Sequence, residues 1–515
     1  MQKRSLQHKS TILGFLVLIV NIASIAQLPT HQAFLNDFDS LVSIIKAVDP
    51  RLQSWKALAD LDIEKEIENQ RRYVDTINST NDFMVLINAT LQKCLDGHAS
   101  IVHPAVVEYL LEQLPASERQ HLLTMIDSEQ LQQAGRTFNN LLEYQNTISI
   151  DSPGRPFRVQ QKYINGHYLL TNTFKTENKV FANGWKVQSV NNIDVYDSLS
   201  RILSSGSVMP KFDLKNKRFY SNNYIRNQFL LNDTLYADFL DENDHVKQLT
   251  VFPGQKSRLK RVKFISLFDK SVIKYFRKYN MLYIRFNEMV LEDKFMKKLS
   301  HFCQTKKFSL VIINISDNYG GDDAAWQKIM SMFIMDTVSY EYKLGFKNAP
   351  LIRRYLGAGE YQKCSKGKLW TGEEFLIRNY KETIVPSDRH RSASPKVYLI
   401  HDENIFSSAG SFRAFANSSD QLTSIGFPTG WMGGFGATPF YFILPETKIL
   451  IRLDCGIDIT HAGSPAELFQ KDEIEVEQTL DWYYNKNIAF DRNSLSRLLT
   501  FPPFRKVLML EGFLK

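Results

Sequence analysis

The chain has 515 residues, of which 43% are hydrophobic, 12% aromatic and 23% charged, the make-up of an ordinary globular protein. That excludes a mostly disordered, collagen-like or polytopic membrane chain, and at about 150 residues per domain the length suggests about three domains. The formal charge of +8 falls to +5 once Lys3, Arg4 and Lys9 are set aside, which over so long a chain is no pointer to nucleic acid or a membrane surface.

In chain order, Met1 to Lys9 is basic, Thr11 to Ala26 is apolar and uncharged, and Ser24-Ile25-Ala26 places small residues before a cut at Gln27. This is the order of a secretory signal peptide, and the apolar run is shorter than the ~20 residues a membrane span needs. The expectation is a chain exported to the periplasm or the extracellular space, with no stable membrane insertion after the leader is removed. Residues 27–150 read as a helical part. Apolar residues recur at three and four positions in Asp37 to Val48 and in Phe83 to Cys94, and the pattern continues through Val106–Leu114, Arg119–Ile126 and Leu131–Tyr144. Residues 151–255 change period. Short β-branched and aromatic runs at 157–159, 168–173, 185–190 and 249–252 are punctuated by Asn165-Gly166 and Asn183-Gly184. The basic stretch Lys256 to Lys263 reads as a solvated linker and not as a nucleic-acid patch.

From 256 to 490 the chain alternates. Strands are expected at 281–286, 310–315, 396–400 and 422–425, and helices at 291–304, 324–335 and 408–417. Such βαβ alternation indicates an α/β fold with a mostly parallel sheet. The final 491–515 read as a tail without chemical signal. The four cysteines (Cys94, Cys303, Cys364, Cys455) are widely spaced and form no metal-ligand pattern, so neither a disulfide pairing nor a metal site follows.

Ligands of open α/β sheets bind beyond the carboxyl ends of the strands, and three loops fall there. Asp317-Asn318-Tyr319-Gly320-Gly321 follows an apolar strand, and its glycines can bring backbone N–H groups close to a ligand. Asn404 to Gly410 places Ser407 and Ser408 at a strand-to-helix turn, where a helix N-terminus favours an alkoxide or oxyanion. Gly426 to Gly434 is a glycine-rich loop able to line a cleft. Taken singly, each has a plainer reading as a turn or a helix cap.

Together and in this order the loops resemble the core of the C-terminal-processing (tail-specific) peptidases, including tricorn core domains. The matching segments are Asn314 to Gly321, Ile405 to Gly410 and Gly426 to Trp431, followed by Leu444-Pro445-Glu446-Thr447 and Glu473-Ile474-Glu475-Val476. Leu95-Asp96-Gly97-His98-Ala99 resembles the motif of members that use a histidine, and Gly184 to Asn192 resembles a PDZ-like segment. The resemblance implies a ClpP/crotonase-like βαβ core with a helical N-terminal domain and a PDZ-like, β-rich middle domain. It implies an exported serine endopeptidase with Ser407 as nucleophile and His98 as base, acting on peptide or protein substrates without a cofactor. Ser408 is the rival nucleophile, and His401 and His461 are rival bases.

The oxyanion hole would come from the N–H of Gly320 or Gly321 and of Ser408, and Glu467 or Glu473 would orient the histidine ring. A lysine base of the other branch finds no counterpart, because Trp431 and Met432 occupy its place and Lys448 lies well beyond. Asn314, Ser316, Gly410 and Trp431 depart from the motif residues. The alternative they leave open is an inactive member that binds peptides on the same fold. An esterase-type hydrolase would carry Gly-x-Ser-x-Gly, which the Ser407 region lacks.

Overall fold

The computed structural model describes residues 29–113, 126, 128–147, 159–176, 179–196, 210–221, 234–252, 258–259, 271–387, 395–432, 437–469, 471–480, 483 and 495–514. The expected leader, the 119–126 helix apart from Ile126, and the start of the 157–159 strand lie outside the described residues. Among the described residues no helix is long and apolar enough to cross a membrane.

The central sheet has six strands in the spatial order Val272–Phe276, Met281–Arg285, Leu310–Asn314, Lys396–Ile400, Thr423–Gly426 and Ile474–Glu475. The first pair is antiparallel and every other pair is parallel. The three central strands are buried on both faces, which is why they read as continuous apolar runs without polar alternation. Odd and even positions nonetheless face different partners. Leu282, Ile284, Val311, Ile313, Val397 and Leu399 meet the helices Asp323–Met330 and Ser408–Asn417, with Trp326 stacked on Phe412 at 5.1 Å. Met281, Tyr283, Leu310, Ile312, Tyr398 and Ile400 meet Phe504, Val507 and Leu508 of the helix Pro502–Leu510. The segment read as a tail thus closes one face of the core.

A second six-stranded sheet is antiparallel throughout. Ser100–Ile101, Leu450–Asp458, Val338–Lys347, Glu374–Ile384 and Ser365–Lys368 follow one another, and Ala437–Ile443 also pairs with Leu450–Asp458. The N-terminal helices His31–Val48, Leu52–Ala59 and Thr80–Gln92 pack on this sheet in one continuous core running from Phe34 to Phe469. Asp37, fully buried, fastens the two by accepting from the backbone N–H of Glu446 and Thr447 at 2.8 and 2.7 Å.

The middle part forms a third, antiparallel sheet ordered Val246–Val251, Leu235–Leu240, Lys186–Val190, His167–Leu170 and Gln161–Ile164. Within the stretch read as a linker, Arg258–Leu259 pairs with Phe174–Lys175 and so belongs to this part of the fold. The hairpin Lys211–Asp213 and Arg218–Tyr220 reaches across to the core, where Phe212 N–H donates to Gly430 O at 2.9 Å. All four cysteines are free thiols.

Candidate active site

Strand register, and not local sequence, builds the first half of the site. Ser100 lies opposite Arg452 and Ile101 opposite Ile451, so the same register carried two residues back sets His98 opposite Asp454. His98 Nδ1 lies 2.8 Å from Asp454 Oδ1 and 3.0 Å from Oδ2. Asp96 fixes the turn: its Oδ1 accepts His98 N–H at 2.8 Å and its Oδ2 accepts Asp454 N–H at 2.7 Å. Arg51 lies behind, 2.9 Å from both Asp49 and Asp96 and 3.9 Å from Asp454.

The carboxylate that meets His98 is Asp454, and neither Glu467 nor Glu473, where the acid was expected, lies against the ring. Glu467 is exposed and accepts from Gly463 N–H, and Glu473 is exposed with its backbone bound to Ser424 Oγ. His401 is fully buried and committed elsewhere, with Nε2 2.6 Å from Asp472, which also takes Arg413 Nε at 2.7 Å. His461 lies 3.3 Å from Ser418 Oγ, toward the far end of the helix that starts at Ser408. Lys448 Nζ donates to Pro445 O on its own turn.

Electrostatics gives the cluster its direction. Three buried carboxylates face one guanidinium, which leaves a net negative charge beside the imidazole. Burial and the neighbouring Asp96 push the Asp454 carboxyl up, whereas Arg51 holds Asp96 well below the ordinary carboxylate range in spite of burial. A proton shared between Asp454 and His98 Nδ1 relieves that charge. Asp96, His98 and Asp454 also converge as three possible metal ligands. Their donor atoms are already engaged by one another, by Arg51 and by backbone N–H groups, so the set fits a hydrogen-bonded relay better than a metal cage.

The second half of the site is the turn from Lys396–Ile400 into the helix Ser408–Asn417. Ser407 holds φ 54° and ψ −129°, a backbone state that costs a non-glycine residue about 1–3 kcal/mol. The strain turns Ser407 toward the cleft and leaves it half-exposed, while Ser408 is 4% exposed with its Oγ unpartnered. Gly320 sits against this turn with φ 104°, and a Cβ there would lie 2.6 Å from Ser407 Cβ. Gly321 has φ 141° and passes equally close to Met289 O. The Gly320 N–H donates to Asn318 Oδ1 at 2.8 Å, which removes it from the oxyanion donors. Gly320 O and Asp322 N–H serve the bridge to Met289, which leaves the Gly321 N–H outside that pairing.

Asn314, which departs from the motif, accepts Ser316 N–H at 2.9 Å and donates to Tyr283 Oη at 3.0 Å, so the turn survives the exchange of acid for amide. His98, Gly321, Ser407 and Ser408 line one cavity of about 760 Å³, within the range of substrate clefts. The His98 ring packs on Phe406 at 4.6 Å, one residue from the serine. Among the described residues His98 makes no hydrogen bond to Ser407, as is common before substrate closes such a site.

The chain shares its fold with mature CPAF. The TM-score is 0.50 at 12% identity, over 91% of this chain and 97% of that one. Also similar are the photosystem II D1 C-terminal processing protease (TM-score 0.35, 8% identity, 86% and 92% covered) and tricorn protease (0.34, 13%, 87% and 35%). At 12% identity the likeness to mature CPAF is one of fold. No family model matches the sequence, and no curated protein does.

Three residues escaped the sequence reading. Asp454 lies in a strand buried along almost all of its length. Lys211 reaches from the middle part to donate to Glu403 O and Asn404 Oδ1, both at 2.7 Å, and stands over the Trp431 ring at 5.2 Å. Asn404 in turn donates to Asp317 Oδ1 at 2.8 Å, tying the serine turn to the glycine loop. Asp454 and Lys211 carry no local motif, and Asn404, which opens the serine loop, was given no role of its own.

Proposed function

We propose that the protein is a serine peptidase in which Ser407 is the nucleophile, His98 the base and Asp454 the acid that orients the ring. The observation that carries this reading is the buried Asp454–His98 pair opening onto the cavity that holds Ser407 in its strained turn. A carboxylate only accepts hydrogen bonds, so Asp454 keeps the proton on Nδ1 and leaves the Nε2 lone pair as base.

Ser407 Oγ attacks the peptide carbonyl as its proton passes to His98 Nε2. The charge on the carbonyl oxygen is met by the N–H groups of Gly321 and Ser408, the latter at the helix N-terminus. His98 then gives its proton to the departing amine, an ester to Ser407 remains, and water activated by the same nitrogen releases the acid. The leader-like residues 1–26 support a place of action outside the cytoplasm, and peptides or proteins are the substrates proposed.

The test is fluorophosphonate labelling of wild type, Ser407→Ala and His98→Ala. Labelling should vanish in the first variant and slow at least 1,000-fold in the second. Equal labelling of all three would overturn the assignment, and no labelling of wild type would favour a peptide-binding protein without catalysis.

A further inference from the structure

Beside Ser407 the cavity carries a feature that peptide hydrolysis by itself does not need. One wall is the strand Val338–Lys347, where Tyr340, Tyr342 and Leu344, two apart, turn the same way into the cavity, with Glu382 from the neighbouring strand among them. Tyr340 Oη and Tyr342 Oη donate to the two Glu382 oxygens at 2.8 and 2.9 Å, and Gln327 Nε2 donates to the same carboxylate. All three donors are neutral.

Asp323 lies beside it at the start of the helix Asp323–Met330 and takes Trp326 Nε1–H at 3.1 Å, again a neutral donor. The Ser408 hydroxyl, on a residue 4% exposed, and the Ser411 hydroxyl face Asp323 as further neutral donors. No lysine or arginine pairs with Glu382 or Asp323 among the described residues. Among the described residues Lys471 is the one lysine or arginine lining the cavity; its backbone carbonyl accepts from Asn417 Nδ2, at the far end of the helix that starts at Ser408. Burial and the Glu382 charge push the Asp323 carboxyl up, and burial with the same charge pushes both tyrosines up. The end of the cleft next to the nucleophile is thus a pair of carboxylates, dressed by neutral groups and lacking a cation.

We infer that Glu382 and Asp323 form a specificity pocket for the lysine or arginine side chain of a substrate residue flanking the scissile bond. The inference rests on the peptidase reading for its location and on the pocket's own charge for its chemistry. The Tyr340 and Tyr342 rings offer an apolar wall for the aliphatic stem of such a side chain, and the carboxylates meet its charged head. Glu382 already has a hydrogen bond on each oxygen, so it suits a ligand that brings donors of its own better than a metal ion that demands several free lone pairs. The helix N-terminus at Ser408 supplies only partial positive charge and leaves the formal charges unmatched.

The test uses the full-length protein, in EDTA, on a peptide library that is N-acetylated and C-amidated so that only side chains carry charge. Cleavage sites are read by mass spectrometry, followed by matched peptides with lysine or its neutral isostere norleucine at the preferred position. Wild type should show lysine and arginine enriched at one fixed position, with kcat/KM for lysine roughly 10- to 100-fold above norleucine, as expected of one partly buried charge-assisted pair. Glu382→Gln and Asp323→Asn should each lower that ratio toward one, and Glu382→Asp should restore most of it, with thermal melts confirming that each variant is folded. No basic enrichment, or a ratio unchanged in both variants, overturns the inference. If no peptide is cleaved and Ser407 is not labelled, the peptidase reading fails separately. The pocket is then judged by binding: a lysine peptide held no more tightly than its norleucine twin refutes it.

Discussion

Asp454→Asn separates a catalytic relay from a structural one. The asparagine amide fits the same space, yet its NH₂ can donate to His98 Nδ1, now 2.8 Å from Asp454 Oδ1. That favours the opposite tautomer, with Nε2 protonated and useless as a base toward Ser407. The charge that would stabilise the imidazolium is lost in the same step. Where this relay operates in other serine hydrolases, such a change costs about 10,000-fold, close to 5.5 kcal/mol of barrier.

Stability should move the other way. Burial and the Asp96 charge raise the Asp454 carboxyl, so the folded state binds a proton more tightly than the unfolded chain. Stability contributed by that proton is present below the unfolded carboxylate range, near pH 4, and is lost as pH rises toward neutrality. Neutral asparagine removes this loss, so the variant should melt at or above the wild-type temperature at pH 8 and show a flatter melting profile between pH 4 and 7. The assay is the second-order rate of fluorophosphonate labelling, which needs no knowledge of the substrate, paired with thermal unfolding across pH. A rate within 10-fold of wild type would refute the role given to Asp454. A rate that falls only in step with lost folding would refute the electrostatic account.

Gly320→Ala would set a Cβ 2.6 Å from Ser407 Cβ and 2.9 Å from Phe406 O. The serine turn must shift, and labelling should slow about 100-fold or more, an outcome the same rate assay reads. Lys211→Met removes a buried charged donor from Glu403 O and Asn404 Oδ1. It should cost about 1–3 kcal/mol in denaturant unfolding and slow labelling, although Lys211 belongs to the middle part of the chain. Phe504→Ala empties a fully buried position packed edge-on to Tyr283 at 5.7 Å, with an expected loss of about 3–5 kcal/mol by the same denaturant measurement.

The parts of the fold that were legible beforehand are those whose burial is two-sided or whose helices carry one apolar face. Leu310–Asn314 and Lys396–Ile400 lie within the apolar runs 310–315 and 396–400, and Thr423–Gly426 falls within one residue of the run expected at 422–425. The antiparallel sheet was not read. Val338–Lys347 and Glu374–Ile384 mix buried positions with exposed charges, and Leu450–Asp458 carries Arg452 and Asp454 inside an otherwise buried run. Pro502–Leu510 begins with two prolines and shows one apolar face over only nine residues, too short a stretch to announce itself without the sheet it covers.

The same contrast runs through the site and explains why the carboxylate that meets His98 was not found in the sequence. Ser407 and the glycines are local signals, because strain and close approach demand particular residues at adjacent positions. His98 is half local: Asp96 fixes its turn from two residues away. Asp454 is not local at all, since its pairing with His98 spans 356 residues and depends on a two-residue edge strand. Glu473 is one residue away in sequence from a buried ion pair of a different histidine. Asp472 is buried and binds His401 and Arg413, whereas Glu473, pointing the other way along an extended segment, meets solvent. The carboxylate against His98 is a buried one, and which acid is buried there is decided by strand register. The acid was therefore to be sought on the strand facing the histidine, two residues past its last paired position, and not among the acids that follow the serine motif.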